Sequence, residues 1–236
     1  MAATGTVFLI PCFLDENALH VLPGYITEAI KQCHVFFVEN ERSARRYFKA
    51  LWKEMVIDDY EWFVIHKAEE SVRLEMKKAL AAGKTIGIVS EAGCPGIADP
   101  GQLLVETAHE EGALVKPLVG PSSILLALMG SGMNGQCFRF AGYIPIDTTA
   151  RIKFIRDLEA ASLNRNETQV FIETPYRNNQ LIEALVKHCA PTTRLCIAAD
   201  LTTTTEYIKT MTVAQWKNET PDLHKRPAIF CLMAGG

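Results

Sequence analysis

Several patterns that would classify a chain quickly are missing from this one. It has no Cys-x-x-Cys pair, no His-Glu-x-x-His, no phosphate loop ending in Gly-Lys-Ser/Thr and no Gly-x-Ser-x-Gly. The seven cysteines, at 12, 33, 94, 137, 189, 196 and 231, are scattered, which suits reduced thiols better than a disulfide framework or a zinc site. The six histidines show no metal-ligand spacing, so no metal is expected. No apolar run approaches the roughly 18 residues of a membrane span, and residues 1–16 lack the basic start of a signal peptide. A cytoplasmic protein is the expectation, and the Asn-x-Thr triplets at Asn166 and Asn218 then carry no weight. Neither sign of charge dominates: the formal net charge of −3 argues against a generally basic nucleic-acid coat, while leaving a local basic patch open. Internal repeats and low-complexity segments are also absent.

What is present is an apolar fraction of 48% over 236 residues, enough for a real core in one large domain or two small ones. Strand-like runs at Thr6–Ile10, Val35–Val38, Trp62–Ile65, Thr85–Val89 and Leu114–Leu118 alternate with helix patterns near 24–32, 43–52, 68–82 and 102–111. Gly83 and Gly112 sit where helices stop. This βαβ rhythm predicts a mostly parallel sheet covered on both faces. Beyond Gly120-Pro121 the rhythm changes. An apolar helix over 122–129 leads to strand signals at Phe138–Ala141, Gln169–Glu173, Arg194–Ala199, Glu206–Met211 and Ala228–Met233. The later ones have less helix between them, so the second sheet is expected to be mixed. The division is set at 1–119 and 120–236, two α/β domains.

The stretch Ser90-Glu91-Ala92-Gly93-Cys94-Pro95-Gly96-Ile97-Ala98-Asp99-Pro100-Gly101 carries the most information. It follows a buried-strand run and precedes a helix pattern, with Asp99 expected as N-cap and Pro100 at the first helical position. A strand, a tight Gly/Pro loop and a helix are how an open parallel sheet builds a ligand crevice at its strand ends. Glu91 reads equally as a loop carboxylate or a ligand group, whereas Asp99 reads first as a cap. The Gly-x-Gly-x-x-Gly string at 130–135 follows a helix and precedes a strand, the reverse of a dinucleotide loop, and reads as a helix stop. Arg42, Arg45, Arg46, Lys49 and Lys53 share one helical face. That face is either a solvated surface or a phosphate-contacting stripe.

On these residues the chain resembles the tetrapyrrole methylase superfamily, the class III S-adenosylmethionine (SAM) dependent methyltransferases. The closest likeness is to the small-subunit ribosomal RNA ribose 2′-O-methyltransferase I branch. Ser90–Gly101 resembles V-S-D-A-G-T-P-x-x-x-D-P-G, and Pro117–Ser122 resembles P-x-P-G-P-S/C. Phe138–Pro145 resembles F-x-F-x-G-F-x-P. Phe171-Ile172-Glu173 with Arg177 resembles F-Y-E-S-x-H-R, and Ala198, Leu201 and Thr202 resemble A-R-E-L-T-K. The chain also departs from the pattern. Ile10–Asp15 lacks the Gly-Asn of T-P-x-G-N-L-x-D, and Asn40 replaces the acid of E-D-T-R. Ala68 and Glu69 replace His and Asn after His66, Tyr176 replaces the histidine before Arg177, and Ala199 and Thr203 replace two basic residues.

The resemblance implies two α/β domains with SAM folded in the active-site cleft between them, and a homodimer. Carried over residue by residue, the cofactor positions are Pro11, Ser90, Glu91, Ala92, Gly93, Ile97, Ser122, Ser123, Phe171, Ile172, Ala198, Leu201, Pro227 and Ala228. Apolar side chains such as Ile97 and Phe171 would flank the adenine. Removal of an acceptor hydroxyl's proton needs a base, for which Glu91, Glu39 and Glu173 are the candidates. Arg42, Arg45, Arg46 and Lys49 are the candidate RNA contacts, with ribosomal RNA or the 30S particle as partner. Two other readings stand beside this one: the same chemistry on a tetrapyrrole or other small molecule, and a SAM-binding module without catalysis.

Overall fold

The structure is a computed structural model, described here over residues 5–65, 69–98, 100–219 and 221–235. The chain divides into two compact units, Met1–Ser122 and Ser123–Gly236.

The first unit runs β1 (Thr6–Ile10), α1 (Tyr25–Gln32), β2 (Val35–Val38), α2 (Glu41–Leu51), β3 (Glu61–Val64), α3 (Glu69–Ala81), β4 (Ile86–Val89), α4 (Gln102–Glu110) and β5 (Leu114–Pro117). Every strand pair is parallel, in the order β3-β2-β4-β1-β5. Val-Phe-Phe-Val in β2 and Ile-Gly-Ile-Val in β4 are buried throughout, as strands covered on both faces must be. Ile26, Ala29 and Ile30 of α1 pack with Ala44, Tyr47 and Phe48 of α2 on one face. Val72, Met76 and Leu80 of α3 pack with Leu104 and Ala108 of α4 on the other. β1 and β4 are neighbours whose following helices leave to opposite faces. Their carboxyl ends therefore mark the switch point at which an open α/β sheet forms its crevice.

The second unit runs α5 (Ser123–Ser131), β6 (Phe138–Tyr143), α6 (Thr148–Arg165), β7 (Thr168–Ile172), α7 (Asn178–His188), β8 (Arg194–Ala199), β9 (Tyr207–Thr212), α8 (Val213–Trp216) and β10 (Ala228–Met233). Its sheet is ordered β6-β7-β10-β8-β9, parallel at β6-β7 and antiparallel elsewhere. The mixed sheet matches expectation. The later connections, β8-β9-β10, are short of helix as expected, while α6 and α7 between the earlier strands are substantial. Phe171, Leu181, Leu185, Ile197, Trp216 and Phe230 lie in one apolar cluster.

The start of α4 differs from expectation in one described detail. Asp99 lies outside the described residues. Pro100 is not the first helical residue, because the cap is Gly101, whose φ of 121° ends the loop in a conformation that side chains rarely adopt, and the helix opens at Gln102. The glycine string at 130–135 does close α5 and precede β6, with Gly132 at φ 66°.

Candidate functional site

The loops that leave β1 and β4 are tied together at the switch point. Cys12 N–H donates to the Gly93 carbonyl at 2.8 Å, and Gly93 N–H returns to the Cys12 carbonyl at 3.2 Å. Gly93 makes this approach with φ at 72°. The buried Ser90 hydroxyl turns inward, within 3.2 Å of the Gly93 carbonyl and 3.3 Å of that of Ala92. Its role in the structure is to brace the bend. A third segment closes on the same point: a Cβ on Gly120 would stand 2.2 Å from Cβ of Pro11, so the Pro11 ring lies against Gly120 as only glycine permits. Pro11 is buried, and its carbonyl accepts from the Tyr47 hydroxyl at 2.7 Å. Burial pushes the Tyr47 phenol up from its ordinary value.

The outer side of the bend is open. Glu91, Ala92 and Ile97 are exposed, Ile97 by 53% in spite of its apolar side chain. Ala98 holds a left-handed φ of 62°, which adds a further sharp bend. The chemistry presented is therefore backbone polar groups beside an unburied aliphatic side chain. That donor set fits an adenine edge and an amino-acid tail.

Beside the bend, Glu39 and Glu91 face α2. Glu91 N–H donates to Oε1 of Glu39 at 3.0 Å, and the Ser43 hydroxyl donates to Oε1 of Glu91 at 3.0 Å. Burial foremost, with Glu91 and Glu39 adding to it, pushes the Cys12 thiol up to about 12, so it stays protonated at neutral pH and is no nucleophile. Asn40 caps α2, its side-chain oxygen accepting from the amides of Arg42 at 3.0 Å and Ser43 at 3.2 Å. The amide that replaces the family's acid here keeps the capping oxygen.

The third carboxylate candidate is placed differently. Glu173 is 4% exposed, and its Oε1 accepts from Arg177 at 2.6 Å and from the Thr174 amide at 2.7 Å. This is the geometry of a braced β7–α7 turn. The general-base reading of Glu173 is corrected on that ground, since a side chain walled in and ion-paired has no path to an acceptor. Phe171 is likewise corrected as an adenine-flanking ring: it is fully buried and stacked on Phe230, with centroids 5.8 Å apart. Ala198 is fully buried in β8, so it and Phe171 could serve a ligand through backbone alone. Ile172, Leu201, Pro227 and Ala228 gather at one end of the second sheet, where β7 and β8 finish and β10 begins, and there Pro227 is exposed. Ser122 and Ser123 are half-buried at the junction of the sequence units.

The basic stripe divides. Arg45 pairs with Glu41, and its guanidinium lies 5.3 Å from the centre of the Trp62 ring. The Lys49 ammonium donates to the carbonyls of Lys53 and Met55 beyond the end of α2, the latter at 3.0 Å, and Lys53 is outside the helix. Both are occupied with holding the fold. Arg42 and Arg46 are exposed, and Arg46 has only a loose pairing with Glu16 at 3.8 Å. The sequence reading gave no site role to Phe13, Ser43 or Tyr47, and read Gly120 only as part of a turn and boundary. Ser43 and Tyr47 are four residues apart on α2, and that spacing is the signal that they share a face.

The family model for the Tetrapyrrole (Corrin/Porphyrin) Methylases matches residues 25–217. The chain belongs to this family. As a tetrapyrrole methylase homologue it is 34% identical over 135 residues to a ribosomal RNA small subunit methyltransferase I of Mesorhizobium japonicum, covering 57% of this chain and 45% of that one. It is 32% identical over 177 residues to the protein of the same name from Vibrio cholerae, covering 73% and 60%. The chain thus spans about half to three-fifths of the length of these relatives. The solved structure of the methyltransferase CobJ shares the fold, with a TM-score of 0.64 at 16% identity over 98% of this chain and 95% of that one. Among the described residues, no group of three or more His, Cys, Asp or Glu is placed to hold a metal, and no helix is long and apolar enough to cross a membrane.

Proposed function

We propose that this tetrapyrrole methylase homologue is a SAM-dependent methyltransferase acting on RNA, with small-subunit ribosomal RNA as substrate and a ribose 2′-hydroxyl as acceptor. The observation that carries the reading is the bend at 90–98, locked to the β1 loop at the switch point of the first sheet, in a chain whose relatives are named ribosomal RNA small subunit methyltransferase I. The proposed cofactor contacts are Pro11, Ala92, Gly93 and Ile97 of the first unit, with Ser122. From the second unit come Ser123, Ile172, Leu201, Pro227 and Ala228. Ser90 shapes the loop from within.

SAM, when bound, supplies a methyl already activated on a sulfonium. What the chain has to add is alignment and a proton acceptor. Alignment comes from the bend, which is held by the paired Cys12–Gly93 backbone hydrogen bonds and braced by the buried Ser90 and Tyr47 hydroxyls. Glu91, fixed by Ser43, and Glu39, fixed by the Glu91 amide, are the carboxylates within reach of solvent that could take the acceptor's proton. Arg42 and Arg46 provide the phosphate contacts. By the same resemblance the enzyme works in the cytoplasm as a homodimer.

The test combines calorimetry with SAM and transfer of labelled methyl to deproteinised small-subunit RNA, or to 30S particles from cells that lack this protein. Heat and label in RNA are expected. No heat with SAM or its demethylated product overturns the cofactor. Heat without label in any RNA leaves a binding module in place of an enzyme.

A further inference from the structure

A cavity of about 150 Å³ opens beside the bend, walled by Phe13, Glu39, Asn40, Ser43, Arg46 and Glu91. All six belong to the first unit. Its size is well below the roughly 300–1,000 Å³ of pockets that enclose drug-sized ligands, and a macrocycle could not enter. A single flat ring could. One wall is aromatic: Phe13 is half-buried and held edge-on against Tyr47, with centroids 5.3 Å apart and planes at 87°. The polar walls are unequal. Glu39 and Glu91 present carboxylate oxygens, which only accept hydrogen bonds, whereas the Asn40 side-chain oxygen is spent on capping α2 and leaves its NH₂ as a donor. Ser43 donates to Glu91, so its oxygen faces a ligand as an acceptor. Arg46 at the wall and Arg42 one turn before it bring positive charge to the rim.

We propose that this cavity is the subsite for one unstacked base of single-stranded RNA, and that it selects bases carrying an exocyclic amino group. The proposal rests on the RNA reading above and deepens it. Single-stranded RNA is recognised by splaying bases onto aromatic side chains and reading their Watson–Crick edges. A wall rich in acceptors suits the amino groups of cytosine, adenine or guanine. Uracil offers two carbonyls and one N–H, so it sets carbonyl oxygen against carboxylate oxygen. A simple ammonium ligand would satisfy the carboxylates but meet like charge at the arginine rim.

The experiment measures equilibrium binding of tetracytidylate, tetraadenylate and tetrauridylate to the full chain by fluorescence anisotropy at one fixed salt concentration. Tetracytidylate and tetraadenylate should bind at least about fivefold tighter than tetrauridylate. Phe13→Leu should weaken tetracytidylate by about fivefold or more, the lower end of a lost base stack. Glu91→Gln introduces a donor and should bring the cytidylate-to-uridylate ratio near one. If Phe13→Leu does not fold, Glu91→Gln alone decides. Equal affinity for all three oligonucleotides, or an unchanged ratio in Glu91→Gln, overturns the subsite. Calorimetry with SAM and labelled transfer are read separately. A chain that methylates RNA without base preference loses this pocket and keeps its activity. A chain that shows the preference and transfers no methyl loses the activity and keeps the pocket.

Discussion

At the scale of single residues, the site depends on contacts that leave no room for change. Gly120 is the clearest case, since an added Cβ would meet Pro11 at 2.2 and 2.3 Å. The Pro11 ring cannot swing aside, because its carbonyl is held by Tyr47 and its neighbour Cys12 is bridged to Gly93. Gly120→Ala is therefore expected to cost about 1–3 kcal/mol as overpacking. Urea unfolding should show a lower midpoint at an unchanged slope. An unchanged midpoint would mean that the two loops are not locked together. Glu173 supplies a second case with the opposite functional sign. Glu173→Gln keeps the shape of the side chain but gives up the charge that Arg177 pairs with, so stability should fall by about 1–3 kcal/mol. Methyl transfer per folded molecule should stay within twofold of the parent. A collapse of turnover in a folded Glu173→Gln protein would restore that carboxylate as a candidate base.

At the scale of elements, α2 separates binding from folding along one face. Arg42→Ala with Arg46→Ala should weaken RNA binding and reduce the slope of log affinity against log salt by about 1.4, from two phosphate contacts at about 0.7 each on a single strand. Arg45→Ala should leave that slope alone and instead lower the thermal midpoint, because it loses the Trp62 face and the Glu41 pair. Anisotropy titrations over a salt series, paired with melting curves, tell the two apart. From the sequence all of these residues look alike, since helical spacing shows a shared face and says nothing of what stands opposite it. The same limit hid α6. Its buried stripe is Arg151, Ile155, Leu158 and Ser162, so both ends of the stripe are polar. Arg151 reaches the carbonyls of Pro145 and Ile146, and Ser162 bonds the Glu167 carbonyl and the Ala234 amide. Backbone partners in the turns that flank α6, together with the Ala234 amide after β10, make those polar residues buriable, and apolar periodicity cannot register them. Strands β1, β2, β8 and β10 were legible to the residue because they are buried on both faces and read as unbroken apolar runs. The bend after β4 was legible as a tight loop between a buried strand and a helix. Tyr47 was not legible as part of it, and the closeness of Pro11 and Gly120 was not either, since only the crossing of β1 between β4 and β5 brings these segments together.

At the scale of the whole molecule, both units bury thiols that must remain neutral. Cys12 and Cys33 in the first unit and Cys189 in the second are each pushed up to about 12, by burial foremost. An unfolded thiol ionises near pH 8.5–9. Above that range the unfolded chain releases protons that the folded chain retains, so the folded state binds more protons and stability falls as pH rises. The contribution is fully present below about pH 8.5, declines through the window up to about pH 12, and levels off beyond. Each thiol contributes a slope of at most about 1.4 kcal/mol per pH unit within that window. Because the three thiols are shared between the units, neither unit should escape. Urea unfolding at pH 7.5, 8.5, 9.5 and 10.5 should show a flat region followed by a steep fall. Cys33→Ala, which removes one thiol from the first core, should start from lower stability and then lose less of it per pH unit. A parent protein whose unfolding midpoint stays level to pH 10.5 would show that these sulfurs reach water more freely than their packing allows.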